Sequence, residues 1–236
     1  MDPTGQVRAR GVGICGEQGC LPGLAWTEPA DAQRLAEQLR QEHAGTGREV
    51  TRNPHLECGW ARRAVTSARL LDVVHRLIGP AVAVENTFLI IKWPGTGFTV
   101  PVHQDGINDR IVLDPARSLA VWLAITEATS ANGCLEVVPG SQVAGYLPYE
   151  RAEETSTGGG GRPLATRTGG QEYGFTHVAL AAGQACAMDV RLLHRSGPNR
   201  ADQPRIGLNV RYVAPGGAQM RDGSNPSVFA VSGDGW

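Results

Sequence analysis

Residues 98–106 read FTVPVHQDG. The apolar positions alternate as they do in a strand, and the run closes on His103 and Asp105, two residues apart. Residues i and i+2 of a strand face the same side, so this stretch offers an imidazole and a carboxylate to one point. The chain holds only six histidines, which makes one beside an aspartate at a strand end worth tracing outward.

The surroundings have the texture of a β protein. AVAVENTFLIIKW precedes the stretch, and SLAVWLAIT follows it. Next come an Asn132-Gly133 turn and CLEVVPGS, then THVALA, QACAMDVRLLH and RIGLNVRYVA. About seven short strands punctuated by Gly, Pro and Asn suggest a sandwich or barrel. Two helices are expected upstream. TEPADAQRLAEQLRQEHAG offers Thr27 as N-cap, an early Pro29, Leu35 and Leu39 on one face, and Gly45 as a stop. ARRAVTSARLLDVVHRLIGP carries a stripe of Leu70, Val73, Val74 and Leu77, closed by Gly79-Pro80. Helices followed by strands are not an alternating βαβ pattern. The expectation is a single, mainly β domain over residues 1–236 with flanking helices: a helical part to about residue 80, a β core over about 81–214, and a tail beyond. RAEETSTGGGGRPLATRTGGQE, residues 151–172, reads as a flexible loop, with a mobile lid as the lesser alternative.

Composition narrows the class. The chain has 236 residues, 41% of them hydrophobic, enough for a sizeable core. The formal net charge of −1 lacks the basic excess of a nucleic-acid binder. Thirty-one glycines and 15 prolines against 19% charged residues suit a loop-rich β protein. Five irregularly spaced cysteines argue for free thiols over a disulfide framework. No run approaches the roughly 18 apolar residues of a membrane span, and the first residues lack a signal-peptide core. A cytoplasmic protein with no membrane or nucleic-acid partner is expected, its oligomeric state left open.

Two ligands hold a metal weakly. His194, in MDVRLLHRSGPN, follows an apolar strand and can reach the same point as His103 and Asp105 if the sheet closes on itself. Two histidines and a carboxylate form a facial triad that leaves half an octahedron open and suits Fe(II). Eleven positions further on, Arg205 can bind a carboxylate bidentately. Ser196 can add a hydroxyl donor. An open metal beside a carboxylate clamp implies a chelating acid as cosubstrate. An isolated HxD is more often a hydrogen-bonded histidine at a strand end; the ordered set is far more specific. His43, His55 and His75 belong to the helical region, His177 is a secondary ligand candidate, and Gln104 faces away.

The ordered motifs KWPG, VHQDG, SLAVWLAI, NGCLEVVPGS and LLHRSGPNRADQPRIGLNVRY resemble the phytanoyl-CoA dioxygenase-like Fe(II)/2-oxoglutarate oxygenases. The resemblance runs from about Asn86 to Val213. It implies a double-stranded β-helix, a cupin-like jelly roll with N-terminal helices packed on one sheet. It also implies His103, Asp105 and His194 as iron ligands, and Arg205 and Ser196 on the distal carboxylate of 2-oxoglutarate. Asn86 and Trp122 fall where relatives line the cosubstrate pocket, and O2 is the other cosubstrate. Gln142 stands where the family often has histidine. No basic surface for a CoA phosphate is evident. Related halogenases replace the carboxylate ligand with a small residue; Asp105 therefore favours hydroxylation of a small-molecule metabolite. Desaturation, epimerisation and ring formation use the same oxidant. A cupin-like isomerase and a non-catalytic binding protein are the alternatives of another class. Asn108, Asp109, Arg110, Glu136, Asp189 and Arg191 are candidate substrate contacts.

Overall fold

Two antiparallel sheets pack face to face in the computed structural model, which describes residues 15–151, 164–167 and 169–236. In chain order the strands are β1 (Cys20–Ala25), β2 (Val50–Arg52), β3 (Val82–Lys92), β4 (Val100–His103), β5 (Ile111–Leu113), β6 (Ser118–Ala124), β7 (Leu135–Val137), β8 (Tyr149–Arg151), β9 (Leu164–Thr166), β10 (Thr176–Val178), β11 (Gln184–Met188), β12 (His194–Ser196), β13 (Arg205–Val213), β14 (Ala218–Met220) and β15 (Phe229–Ser232). The helices are α1 (Pro29–His43), α2 (Pro54–Glu57), α3 (Gly59–Val65) and α4 (Ala68–Ile78). The larger sheet runs β1-β11-β6-β13-β3-β15, with β2 also on β3, and the smaller runs β10-β7-β12-β4. This is the mainly β jelly roll with flanking helices that the motifs imply.

Strand periodicity sorts the core into two layers. On β6, Leu119, Val121 and Leu123 face the helices, while Ala120, Trp122 and Ala124 face the smaller sheet. β13 repeats the pattern: Ile206, Leu208, Val210 and Tyr212 pack outward with Ala36, Leu39, Leu70 and Val74 of the helices. Its other residues, Arg205, Gly207, Asn209, Arg211 and Val213, then point between the sheets. A strand buried on both faces can thus carry polar residues on one of them, and that face lines the site. Tyr212 Oη donates to Val65 O at 2.8 Å, fastening α3 to the sheet. Leu208 is fully buried in the helix-facing layer. Leu208→Ala should cost about 2–5 kcal/mol of stability, read as a lower denaturant midpoint at unchanged slope.

The helical region differs from its expected form in several places. The run over 61–80 is two helices, because Ser67 takes ψ 124° and breaks the hydrogen-bond ladder. Its Oγ donates instead to Trp26 O at 2.6 Å. Glu28, not Thr27, stands at the N-cap of α1, and no side-chain cap bond forms there. Strands β1 and β2 lie in the part read as helical, and β14 and β15 in the tail read as unpatterned. β1 hides because Pro22 and Gly23 fall at a register shift between Leu21 and Leu24. The expected loop over 151–172, and with it the lid, lies largely outside the described residues. Strands β8 and β9 pair on either side of that part. Among the described residues no helix is long and apolar enough to cross a membrane.

Candidate active site

Antiparallel pairing of β4 with β12 sets His103 directly opposite His194. Their ring centroids lie 4.0 Å apart, with the planes at 56°. Asp105 follows two residues later in a turn, since β4 ends at His103. Its Oδ1 is 3.7 Å from His103 Nε2 and its Oδ2 3.7 Å from His194 Nε2. Each imidazole is oriented from behind: His103 Nδ1 meets Pro101 O at 2.8 Å, and His194 Nδ1 meets Leu192 O at 3.0 Å. A carbonyl only accepts, so Nδ1 carries the proton and Nε2 the lone pair aimed at the shared point. One ligand atom from each of the three buried residues fits within 4.8 Å of the others. The structure thus brings together the triad expected from sequence, with the chemistry of a divalent-metal site.

Two residues that the sequence reading passed over support Asp105. Asn209 Nδ2 donates to Asp105 Oδ2 at 3.1 Å, and Arg211 Nη1 donates to Asp105 O at 2.9 Å. Arg211 is itself held by Glu85, with Nε 2.8 Å from Oε2. Their signal was the parity of RIGLNVRYV, which puts Asn209 and Arg211 on the face of Arg205. Outer-shell partners of a metal ligand typically carry 10–100-fold in metal affinity. Arg211→Met should therefore weaken divalent-metal binding by about 10–100-fold, read by anaerobic Fe(II) titration of the folded variant.

A cavity of about 480 Å³ is lined by His103 and His194 of the triad, with Arg205, Trp122, Ser196 and Asn86 among others. Arg205 is almost wholly buried. Its Nη2 donates to Gly133 O at 2.7 Å, but Nε and Nη1 have no hydrogen-bond partner among the described residues. Its guanidinium carbon lies 5.2 Å from the Trp122 ring. Burial pulls its pKa down to about 10, which leaves it charged at neutral pH. Gly207 lies diagonal to Trp122 in the β13–β6 pair, where a Cβ would overlap the indole. Lys92, paired with Arg205 in register, is also buried; its Nζ donates to Phe98 O, Ser196 O and Gly197 O at 2.6–3.3 Å. Burial, aided by the nearby Arg205, pushes its pKa down to about 6. Lys92 was not singled out from sequence, because an apolar strand surrounds it. Asn86 sits six residues from Lys92 on β3, about 20 Å along a strand. It lies at the far end of the cavity from Arg205, and the structure does not bring those two together.

The remaining candidates separate cleanly. Asn108, Asp109 and Arg110 line the cavity. Glu136 instead pairs with Arg195 at 2.9 Å, and Asp189 with Arg191 at 2.8 Å. His177 is exposed on β10, 3.6 Å from Cys134 Sγ and outside the cavity lining. His55 bonds Thr87 Oγ1 at 2.8 Å, and His75 bonds Ser232 Oγ at 2.8 Å. Gln104 turns away as its parity requires, donating to Gly145 O and Arg191 O. Gln142 donates to Gly16 O and Glu17 O, a structural tie rather than a substrate contact. All five cysteines are free thiols.

Comparison with known proteins gives this geometry its context. The phytanoyl-CoA dioxygenase (PhyH) family model matches residues 24–207. A phytanoyl-CoA dioxygenase of Arabidopsis thaliana is 28% identical over 137 residues, covering 58% of this chain and 46% of the relative. The chain spans about half the length of the curated relatives it matches. Among solved structures, the apo form of the non-heme monooxygenase ThoJ superposes with a TM-score of 0.74 at 25% identity, covering 92% of this chain and 82% of that one. The epimerase SnoN, in complex with Fe3+, alpha ketoglutarate and nogalamycin RO, shares the fold at 19% identity and a TM-score of 0.68, covering 93% and 92%. Since the family model extends over most of the chain, from β1 to β13, the chain belongs to the phytanoyl-CoA dioxygenase (PhyH) family.

Proposed function

We propose that residues 1–236 act as one Fe(II)- and 2-oxoglutarate-dependent dioxygenase domain that hydroxylates an unactivated carbon of a small-molecule substrate. The observation that carries this is Arg205: a buried, charged guanidinium with two nitrogens that lack a hydrogen-bond partner among the described residues, on a cavity that His103 and His194 of the metal-ligand cluster also line. A buried cation with open donors costs stability unless an anion completes it. A cupin-like isomerase that takes no oxoacid has no use for it, and neither has a binding protein with a vestigial site.

The donor set fits Fe(II): two neutral imidazoles and one carboxylate on one side, open on the other. When bound, Fe(II) with 2-oxoglutarate supplies oxygen activation coupled to decarboxylation of the oxoacid, releasing succinate and CO2. The chain supplies the rest. His103, Asp105 and His194 would hold the metal, with Pro101 O and Leu192 O keeping each imidazole in the metal-binding tautomer. Asn209 and Arg211 fix the Asp105 carboxylate and backbone. Arg205, whose Nη1 has no hydrogen-bond partner among the described residues, would bind the distal carboxylate of 2-oxoglutarate. Ser196 adds its hydroxyl, and Trp122 walls the carbon chain. Lys92 anchors the backbone of Ser196 and Gly197, so that this end of the cavity keeps its shape. Apolar neighbours, Ile90, Phe98, Val100 and Leu135, exclude water around the reacting carbon.

ThoJ's description as a monooxygenase supports hydroxylation, whereas the epimerase SnoN marks the main competitor. Turnover with isotopically labelled O2 separates them. The proposal expects succinate formed in step with 2-oxoglutarate consumed, and product carrying one labelled oxygen. Succinate without label in the product would move the assignment to epimerisation, desaturation or ring formation.

A further inference from the structure

Beyond Arg205, the unpartnered buried atoms of the cavity wall are mostly acceptors, and they gather at the other end. Asn209 and Asn86 both line the cavity, and the buried Oδ1 of each has no hydrogen-bond partner among the described residues. The orientation of Asn209 is fixed by chemistry: its Nδ2 faces the Asp105 carboxylate, which can only accept, so Oδ1 is the oxygen turned away from it. Register places the two side chains as diagonal neighbours on one face, since Asn86 pairs with Arg211 and Phe88 with Asn209. A third acceptor joins them through a backbone device. Arg211 pairs with Asn86 but Tyr212 pairs with Val84, so Glu85 is the extra residue of a β-bulge. A bulge re-aims a side chain, and Glu85 lines the cavity beside Asn86. Its charge is balanced by Arg211 at 2.8 Å. The patch therefore offers acceptors without net negative charge, which suits neutral O–H donors better than an ammonium group.

We propose that Glu85, Asn86 and Asn209 form a subsite for a polyhydroxylated substrate, a sugar ring or cyclic polyol whose hydroxyls donate to these oxygens beside the metal triad. This deepens the dioxygenase reading and rests on it. Buried acceptors stripped of water require donors from the ligand, and an acyl thioester brings few. The same geometry moves Asn86 from the cosubstrate end to the substrate end of the cavity, about 20 Å along β3 from the partner of Arg205.

Saturation-transfer NMR on the full chain tests this, with Zn(II) as a diamagnetic stand-in for iron and 2-oxoglutarate added. The probes are methyl hexopyranosides and inositol, set against acyl-pantetheine thioesters and simple carboxylates at matched concentration. Transfer to the hydroxyl-rich probes is expected to exceed that to the other two classes. Asn86→Leu should weaken it by about threefold to tenfold with 2-oxoglutarate binding retained. Asn86→Ala, which adds no bulk, serves the same purpose if the leucine variant folds poorly. Absence of transfer to the hydroxyl-rich probes, or transfer unchanged in both variants while 2-oxoglutarate still binds, overturns the subsite alone. Hydroxyl-probe binding lost on Asn86→Leu in a protein that does not bind 2-oxoglutarate supports the subsite and overturns the cosubstrate reading instead.

Discussion

Arg205→Leu is expected to weaken 2-oxoglutarate binding by about 30-fold to 4,000-fold, the range for truncating one partner of a buried charge pair. Iron binding should change by no more than about threefold, within the spread of ordinary interaction energies. The asymmetry follows from placement. Arg205 lies on β13 four residues before Asn209, the residue that reaches Asp105. Among the described residues its side chain donates only to Gly133 O, so its removal leaves the triad's own supports intact. Leucine fills most of the volume and avoids stranding a polar group. Titrations of 2-oxoglutarate and Fe(II) against the same variant supply both numbers. Equal loss of both affinities would mean that Arg205 holds the fold of the site rather than the cosubstrate.

Asp105→Ala should have the larger effect on the metal, a loss of Fe(II) affinity beyond the 10–100-fold typical of an outer-shell partner. Asp105 is the one anionic member of the triad, and its two oxygens lie 3.7 Å from the two Nε2 atoms. Two neutral imidazoles 4.0 Å apart remain and cannot balance the ion's charge. Circular dichroism of the variant separates metal loss from unfolding, because the cavity wall around Asp105 is held by β3 and β13 independently of its side chain. Iron binding that survives within tenfold would place the metal elsewhere.

What the sequence conveyed and what it hid divide along physical lines. The HxD was legible because a two-residue spacing has one geometric meaning in a strand; His103 and Asp105 do lie side by side, although Asp105 sits in the turn just past β4. His194 and Arg205 were legible from order and spacing. Asn209 and Arg211 were readable in principle, since RIGLNVRYV alternates between an outward apolar face and an inward polar one. Glu85 was not, because a bulge shifts parity and leaves no mark in AVAVENTFLIIKW. The N-terminal edge strand was hidden by Pro22 and Gly23, which erase alternation. Ser67 was hidden because its partner, Trp26 O, is 41 residues away in sequence. Side-chain rules that act within one element survived translation from the sequence; contacts that depend on register or on a distant carbonyl did not.

Anaerobic addition of Fe(II) and 2-oxoglutarate to the purified chain tests the central claim most directly. Bidentate chelation of the metal by the oxoacid produces a visible metal-to-ligand charge-transfer band. The predicted result is a band that saturates with 2-oxoglutarate, disappears in Asp105→Ala, and in Arg205→Leu returns only at much higher oxoacid concentration. Folded protein that binds iron yet gives no band at saturating 2-oxoglutarate would contradict it.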